Sequence, residues 1–310
     1  MKIIFFGTSE FALPVLEALV SSKEKILKVV TAPDKKKGRG QKIAFSPVKI
    51  LAQEKNLSIL QPTDLKDTGF LQSLKKGVAD LFVVCAYGRI LTRELLQIPK
   101  KYAINLHASL LPKYRGAAPI NWAIIRGETR TGITIFKMDE YMDRGEIILQ
   151  QKIDISYLDT SVRLGIKLSR IGAELLLKAV DLIKSGAETF TEQDETQATF
   201  APKLKKKDGL IDWNMPALDI YNRVRGLQPW PGAFTYLNNK LLKIWNSQVV
   251  RNGKDRQPGE IVNIDTEKGI LVQTGKDKLL ITVLQLEGKR KMLTAEFISG
   301  HRIEIGSKLK

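Results

Sequence analysis

The sequence predicts an α/β fold: a doubly wound, mostly parallel sheet over residues 1–186, a linker over 187–207 and a small β-barrel over 208–310. Three observations lead there. Up to residue 186, continuous apolar runs of strand length alternate with helical patterns, as in a parallel sheet covered on both faces. Residues 187–207 are polar and irregular, rich in Thr, Gln and Glu, then basic from 203 to 207, which reads as a linker. Beyond it, short strands alternate with turn signals such as Asn238-Asn239, Asn252-Gly253 and Lys268-Gly269, the spacing of a small barrel. A chain of 310 residues is long enough for two cores.

In chain order, residues 2–6 are a buried first strand; the run breaks at Gly7, too early for a secretory leader. Gly7-Thr8-Ser9 turns into a helix over 11–20, but the later glycines of G-x-G-x-x-G are missing, which excludes a dinucleotide fingerprint. A second strand over 26–32 empties into Pro33-Asp34-Lys35-Lys36-Lys37-Gly38-Arg39-Gly40-Gln41-Lys42. This segment is either a solvated loop or a flexible basic arm that closes on a phosphate backbone. Ser46-Pro47 starts a short helix by the N-cap and N1-proline rules. A helix over 69–76 precedes a buried strand over 79–86, which ends in Ala86-Tyr87-Gly88. Ligands of open α/β sheets bind beyond the carboxyl ends of their strands, so this turn is expected to face a site.

The next strand, 102–106, carries Asn105 and, at its end, His107. Side chains two apart on a strand share a face. An amide and an imidazole so placed could bind a developing oxyanion and move a proton; the pair is equally compatible with a polar strand end. After a strand over 132–138, Asp143 sits in Met142-Asp143-Arg144-Gly145, a turn signal in its own right. A carboxylate near the imidazole would favour its proton-donating form. A strand over 145–155 and an amphipathic helix over 161–184, closed by Gly186, complete the first domain. In the second, a helix over 217–225 leads to Gln228-Pro229-Trp230-Pro231-Gly232 and the strands from 234 to 286. His301 lies far along the chain from other candidate ligands and reads as structural or surface.

Composition narrows the classes. With 43% hydrophobic and 27% charged residues the chain suits a globular protein, and no run approaches the roughly 18 apolar residues of a membrane span. The single Cys85 excludes a disulfide framework and a cysteine metal site, and a cytoplasmic protein is expected. The net charge of +17 suits a polyanionic partner such as nucleic acid, though a basic surface also serves solubility. Between Lys203 and Lys310 stand 20 Lys/Arg against 11 Asp/Glu, about half of the excess.

The string Asn105-x-His107-x-Ser109-Leu110-Leu111-Pro112, followed by Arg115-Gly116-x-x-Pro119, resembles the signature of the folate-dependent formyltransferases. Met142-Asp143-x-Gly145 and Gln228-Pro229-Trp230-Pro231-Gly232 add to it, so the resemblance spans nearly the whole chain. It implies a Rossmann-like catalytic domain followed by an OB-like barrel. It implies Asn105, His107 and Asp143 as catalytic residues, and Ala86, Tyr87, Gly88, Ser109, Leu110, Leu111 and Pro112 at the folate. The donor implied is 10-formyltetrahydrofolate, with no metal; the acceptor is initiator methionyl-tRNA, gripped by Lys35, Lys36, Lys37, Arg39 and Lys42. A monomer is expected. Two alternatives remain open at this point: transfer to a small amine such as glycinamide ribonucleotide or an amino sugar, and an RNA-binding protein with a decayed site.

Overall fold

The computed structural model describes residues 1–37, 42–251, 253 and 255–310, with the side chains of Lys36, Lys37 and Lys42 outside the description. In chain order the elements of the first sheet region are β1 (Lys2–Gly7), α1 (Leu13–Ser21), β2 (Lys25–Val30), β3 (Lys35–Lys37), β4 (Lys42–Ala44), α2 (Pro47–Glu54), β5 (Ile59–Leu60), α3 (Thr68–Lys76), β6 (Leu81–Cys85), α4 (Arg93–Leu96), β7 (Tyr102–His107), α5 (Pro119–Ile125), β8 (Arg130–Lys137), β9 (Ile147–Asp154) and α6 (Ser161–Ser185). They are followed by α7 (Ala217–Gly226), β10 (Ala233–Leu237), β11 (Lys240–Val250), β12 (Ile261–Asp265), β13 (Gly269–Gln273), β14 (Lys278–Leu286), β15 (Met292–Leu293) and α8 (Thr294–Gly300).

Seven strands form a sheet in the order β5-β2-β1-β6-β7-β8-β9. The ladders from β5 to β7 are parallel, while β8 runs antiparallel between β7 and β9. Ile3 and Phe5 on one face of β1, and Ile4 and Phe6 on the other, are all fully buried, so their apolar run has no polar face to show water. Ile4, Phe6, Phe82 and Val84 share a core cluster with Phe70, Leu71 and Leu74 of α3. The cap expected at Ser46 is present: its hydroxyl accepts from Lys49 N at the start of α2. The basic segment after β2 is more ordered than a loop at its stems, since β3 and β4 pair antiparallel with Lys35 opposite Ala44. Residues 38–41, which include Arg39, lie outside the described residues.

A second, separate sheet is antiparallel, in the order β10-β11-β14-β13-β12, with β15 on β14. α7 packs on β11 and α8 on β13 to β15. The C-terminal residues bond both sheet edges: Ile261 N donates to Ser307 O at 2.9 Å, and Lys310 exchanges two backbone bonds with Tyr236. The packing divides the chain into two units, Met1–Pro119 with Arg130–Asp154 and Gly165–Pro202, and Ile120–Thr129 with Ile155–Leu164 and Lys203–Lys310. Where the sequence suggests a domain over 1–186, a linker over 187–207 and a second domain over 208–310, the packing groups 187–202 with the first sheet and gives Ile120–Thr129 and Ile155–Leu164 to the second unit.

Candidate active site

β7 lies between the parallel β6 and the antiparallel β8, with Asn105 opposite Val84 and Phe136 and His107 opposite Thr134. The strand therefore carries Asn105 and His107 to the sheet's carboxyl end on one face. Both meet Asp143, which follows β8. Asn105 Nδ2 donates to Asp143 Oδ1 at 3.4 Å, and His107 Nδ1 stands 3.6 Å from Asp143 Oδ2; the second separation is too long for a hydrogen bond. The firmest contact to the carboxylate is the Gly116 N–H, 2.8 Å from Oδ2.

The other face of the imidazole fixes its tautomer. His107 Nε2 is 2.9 Å from Tyr114 O, and a carbonyl can only accept, so Nε2 carries hydrogen in this pose. Both ring nitrogens thus face protein acceptors. The histidine is 5% exposed, so its ring is held in place by its surroundings.

Residues 108–118 turn sharply after β7, and a network at their base holds them. Thr134 Oγ1 donates to Ser109 O at 2.7 Å and accepts from Leu111 N at 3.1 Å, while Gln150 Nε2 donates to Leu111 O at 2.8 Å. Ser109 and Leu111 are buried, the former with its hydroxyl on Lys113 O. Leu110 and Pro112 are the partly exposed members of that string. Tyr87 is also turned inward, packing edge-on to Phe6 at 5.5 Å and leaving its backbone and the exposed Gly88 at the strand end.

Sequence reasoning missed a second layer. Arg115 is 3% exposed. Its guanidinium bonds Gln193 Oε1 at 2.8 and 3.1 Å and both oxygens of Glu195 at 2.9 and 3.0 Å. Tyr114 N donates to Thr199 Oγ1, and the Arg115 backbone pairs with Thr199 and Ala201. Gly116 has φ +123°, and a Cβ there would stand 2.6 Å from Ala201 O, so only glycine fits between the loop after β7 and this strand-like segment. All these partners lie in the stretch that reads as a linker; Arg115-Gly116 signalled that the loop was special without naming what held it.

Among the arm residues, Lys35 is exposed and its strand starts beside Asp34, whose carboxylate is held by Gln61 and Lys49. Among the described residues no cluster of His, Cys, Asp and Glu has metal-ligand geometry. His301 stacks on Phe297 at 4.2 Å with Nδ1 3.1 Å from Phe297 O, a local helix-end contact.

Residues 1–180 match the family model described as formyl transferase, and residues 203–302 the one described as formyl transferase, C-terminal domain. The methionyl-tRNA formyltransferase of Geobacter sulfurreducens is 45% identical over 309 residues, covering 100% of this chain and 96% of that protein. Among solved structures, the sugar 3N-formyl transferase WlaRD, with dTDP and 5-N-formyl-THF present, superposes with a TM-score of 0.66 at 19% identity, covering 94% of this chain and 99% of that one. Methionyl-tRNA formyltransferase from Clostridium thermocellum gives a TM-score of 0.58 at 18% identity, covering 80% of this chain and 93% of that one. At such identity the two structures establish the shared fold.

Proposed function

The chain belongs to the formyl transferase family, and we infer that it transfers the formyl group of 10-formyltetrahydrofolate to the amino group of methionyl-tRNA. The observation that supports a working site is the meeting of Asn105, His107 and Asp143 within 3.6 Å contacts at the end of β7. The folate supplies an activated formyl group. Gly88 stands exposed beyond β6, with φ +80° and no atom within 4 Å of where a Cβ would sit. In this reading Ala86 to Gly88 offer backbone groups to the folate, with Tyr87 contributing through its main chain. Leu110 and Pro112 offer apolar surface, while Ser109 and Leu111 shape the loop from inside.

As the amine nitrogen bonds to the formyl carbon, negative charge develops on the formyl oxygen. Donors aimed at that oxygen lower the barrier because they need not reorganise during the step. Asn105, bound to Asp143 only by its long 3.4 Å contact, gives an amide hydrogen readily. His107 joins by exchanging Tyr114 O for the new oxygen. Asp143 takes up the proton that the amine loses and passes it to N10 as the carbon–N10 bond breaks, so that the formamide forms and N10 leaves protonated.

The reading takes the acceptor to be initiator tRNA, the enzyme to act as a monomer, and the compartment to be the cytoplasm. It takes the antiparallel unit as an OB-like barrel, supported by the C-terminal residues that bond both sheet edges. It assigns the β3–β4 region, with Lys35, Lys36, Lys37, Arg39 and Lys42, to the acceptor's phosphates. The test is steady-state kinetics of Asn105→Ala and His107→Ala. Each is expected to lose about 10²-fold or more in kcat, with folate binding better preserved; near-normal turnover in His107→Ala would remove it from the chemistry.

A further inference from the structure

We propose that Gln193 and Glu195 are positioning residues which, with Arg115, set the place of the Asp143 carboxylate in the reaction. The inference rests on the catalytic reading of Asp143. Asp143 adopts φ +53°, a left-handed state that aspartate and asparagine tolerate better than most residues but that still costs free energy unless its surroundings hold it. Residues 114–116 hold its side chain through the Gly116 N–H on Oδ2, and bonds to the backbone of residues 143–145 hold its own loop.

Gln193 joins these loops. Its Nε2 donates to Asp143 O at 3.0 Å and to Gly145 O at 2.8 Å, while its Oε1 accepts from Arg115 Nε and an Arg115 terminal nitrogen. One planar amide thus uses its donor end on the aspartate loop and its acceptor end on the histidine loop. Glu195 closes the arrangement. Its bidentate pair neutralises the buried Arg115, and the same Oε1 accepts from Arg144 Nε at 3.1 Å, on the residue next to Asp143. A guanidinium buried to 3% exposure is tolerable only with such partners. Flanking the pair, Thr191 bonds Ile147 by its backbone in both directions and Thr199 takes the Tyr114 and Arg115 amides. The segment 191–201 is therefore a strap across both loops, with Gln193 bonded to both and the half-exposed Glu195 paired to Arg115 and Arg144.

Substrates touch neither Gln193 nor Glu195 in this account, so loss of either should act on turnover and spare binding. Misplacing a reacting group by an ångström costs about 10²-fold, which sets the scale. Gln193→Glu is the informative variant: it keeps acceptors for Arg115 but cannot donate to the carbonyls of Asp143 and Gly145. Gln193→Ala, Gln193→Glu and Glu195→Gln should be compared with Asp143→Asn for kcat and for the KM of both substrates. In 15N-glycine-labelled protein, the Gly116 amide shift should be read alongside. The expected result is a kcat loss of about 10-fold to 10²-fold in both Gln193 variants and a smaller loss in Glu195→Gln. KM values should stay within about twofold, and the Gly116 amide should move in the same direction as in Asp143→Asn. If Gln193→Ala fails to fold, Gln193→Glu and Glu195→Gln decide. Wild-type kcat with an unmoved Gly116 amide in Gln193→Glu overturns the proposal. Wild-type kcat in Asp143→Asn would instead sink the catalytic reading, and the Gly116 amide shift would then decide the positioning claim alone.

Discussion

Asp143 illustrates how much a single side chain can be asked to do. Asparagine tolerates the same left-handed backbone, so Asp143→Asn removes charge with little change of shape. Turnover is expected to fall by about 10²-fold with both KM values near the parent's; unchanged turnover would leave Asp143 a turn residue. Glu195 adds a pH effect. Its hydrogen bonds to Arg115 hold the carboxyl below its ordinary range. A carboxylate lowered in the folded state stabilises the fold above its unfolded pKa, about 4.3, and that contribution is lost as pH falls through the folded value. Glu195→Gln should therefore be less stable than the parent at neutral pH, the difference closing in acid. Urea midpoints measured from pH 7 downward check this, and a gap independent of pH would contradict it. Asn105, His107 and Asp143 stood out through the family resemblance, since spacing and turn context alone suit a polar strand end and an ordinary turn as well. Gln193, Glu195, Thr134 and Gln150 did not, since each meets its partner only after long stretches of chain have folded.

At the level of elements, the base of the Ser109 to Pro112 turn depends on Thr134. Thr134→Val keeps shape but removes the hydroxyl that bonds Ser109 O and Leu111 N at a side chain with 0% exposure. Unsatisfied buried groups of this kind cost about 1–3 kcal/mol each. Chemical denaturation should show a loss on that scale, with the folate KM rising more than the tRNA KM; a neutral change would mean the turn is held elsewhere. The central strands were readable because burial on both faces writes an unbroken apolar run. The β3–β4 stems were read as loop: a run of lysines argues for solvent, and the pairing of Lys35 with Ala44 is visible only across the strands. The strap over 191–201 looked like linker for a related reason. Gln193, Glu195 and Thr199 bond to Arg115 or to loop backbone, and composition alone cannot separate that use from exposure to water.

For the whole molecule, a charge of +17 and two units set the choice of acceptor. The first sheet carries Asn105, His107 and Asp143, the groups the proposed mechanism uses, and the last third of the chain carries about half of the excess positive charge. A small amine would make no use of that charge, whereas an RNA acceptor would make affinity strongly dependent on salt. The most direct measurement is therefore kcat/KM for formyl transfer from 10-formyltetrahydrofolate, with charged initiator methionyl-tRNA and with free amino sugars or glycinamide ribonucleotide as acceptors, each at two salt concentrations. The tRNA should be preferred by several orders of magnitude, with a rate that falls steeply as salt rises. Comparable rates on a small amine, or a tRNA rate indifferent to salt, would contradict the account.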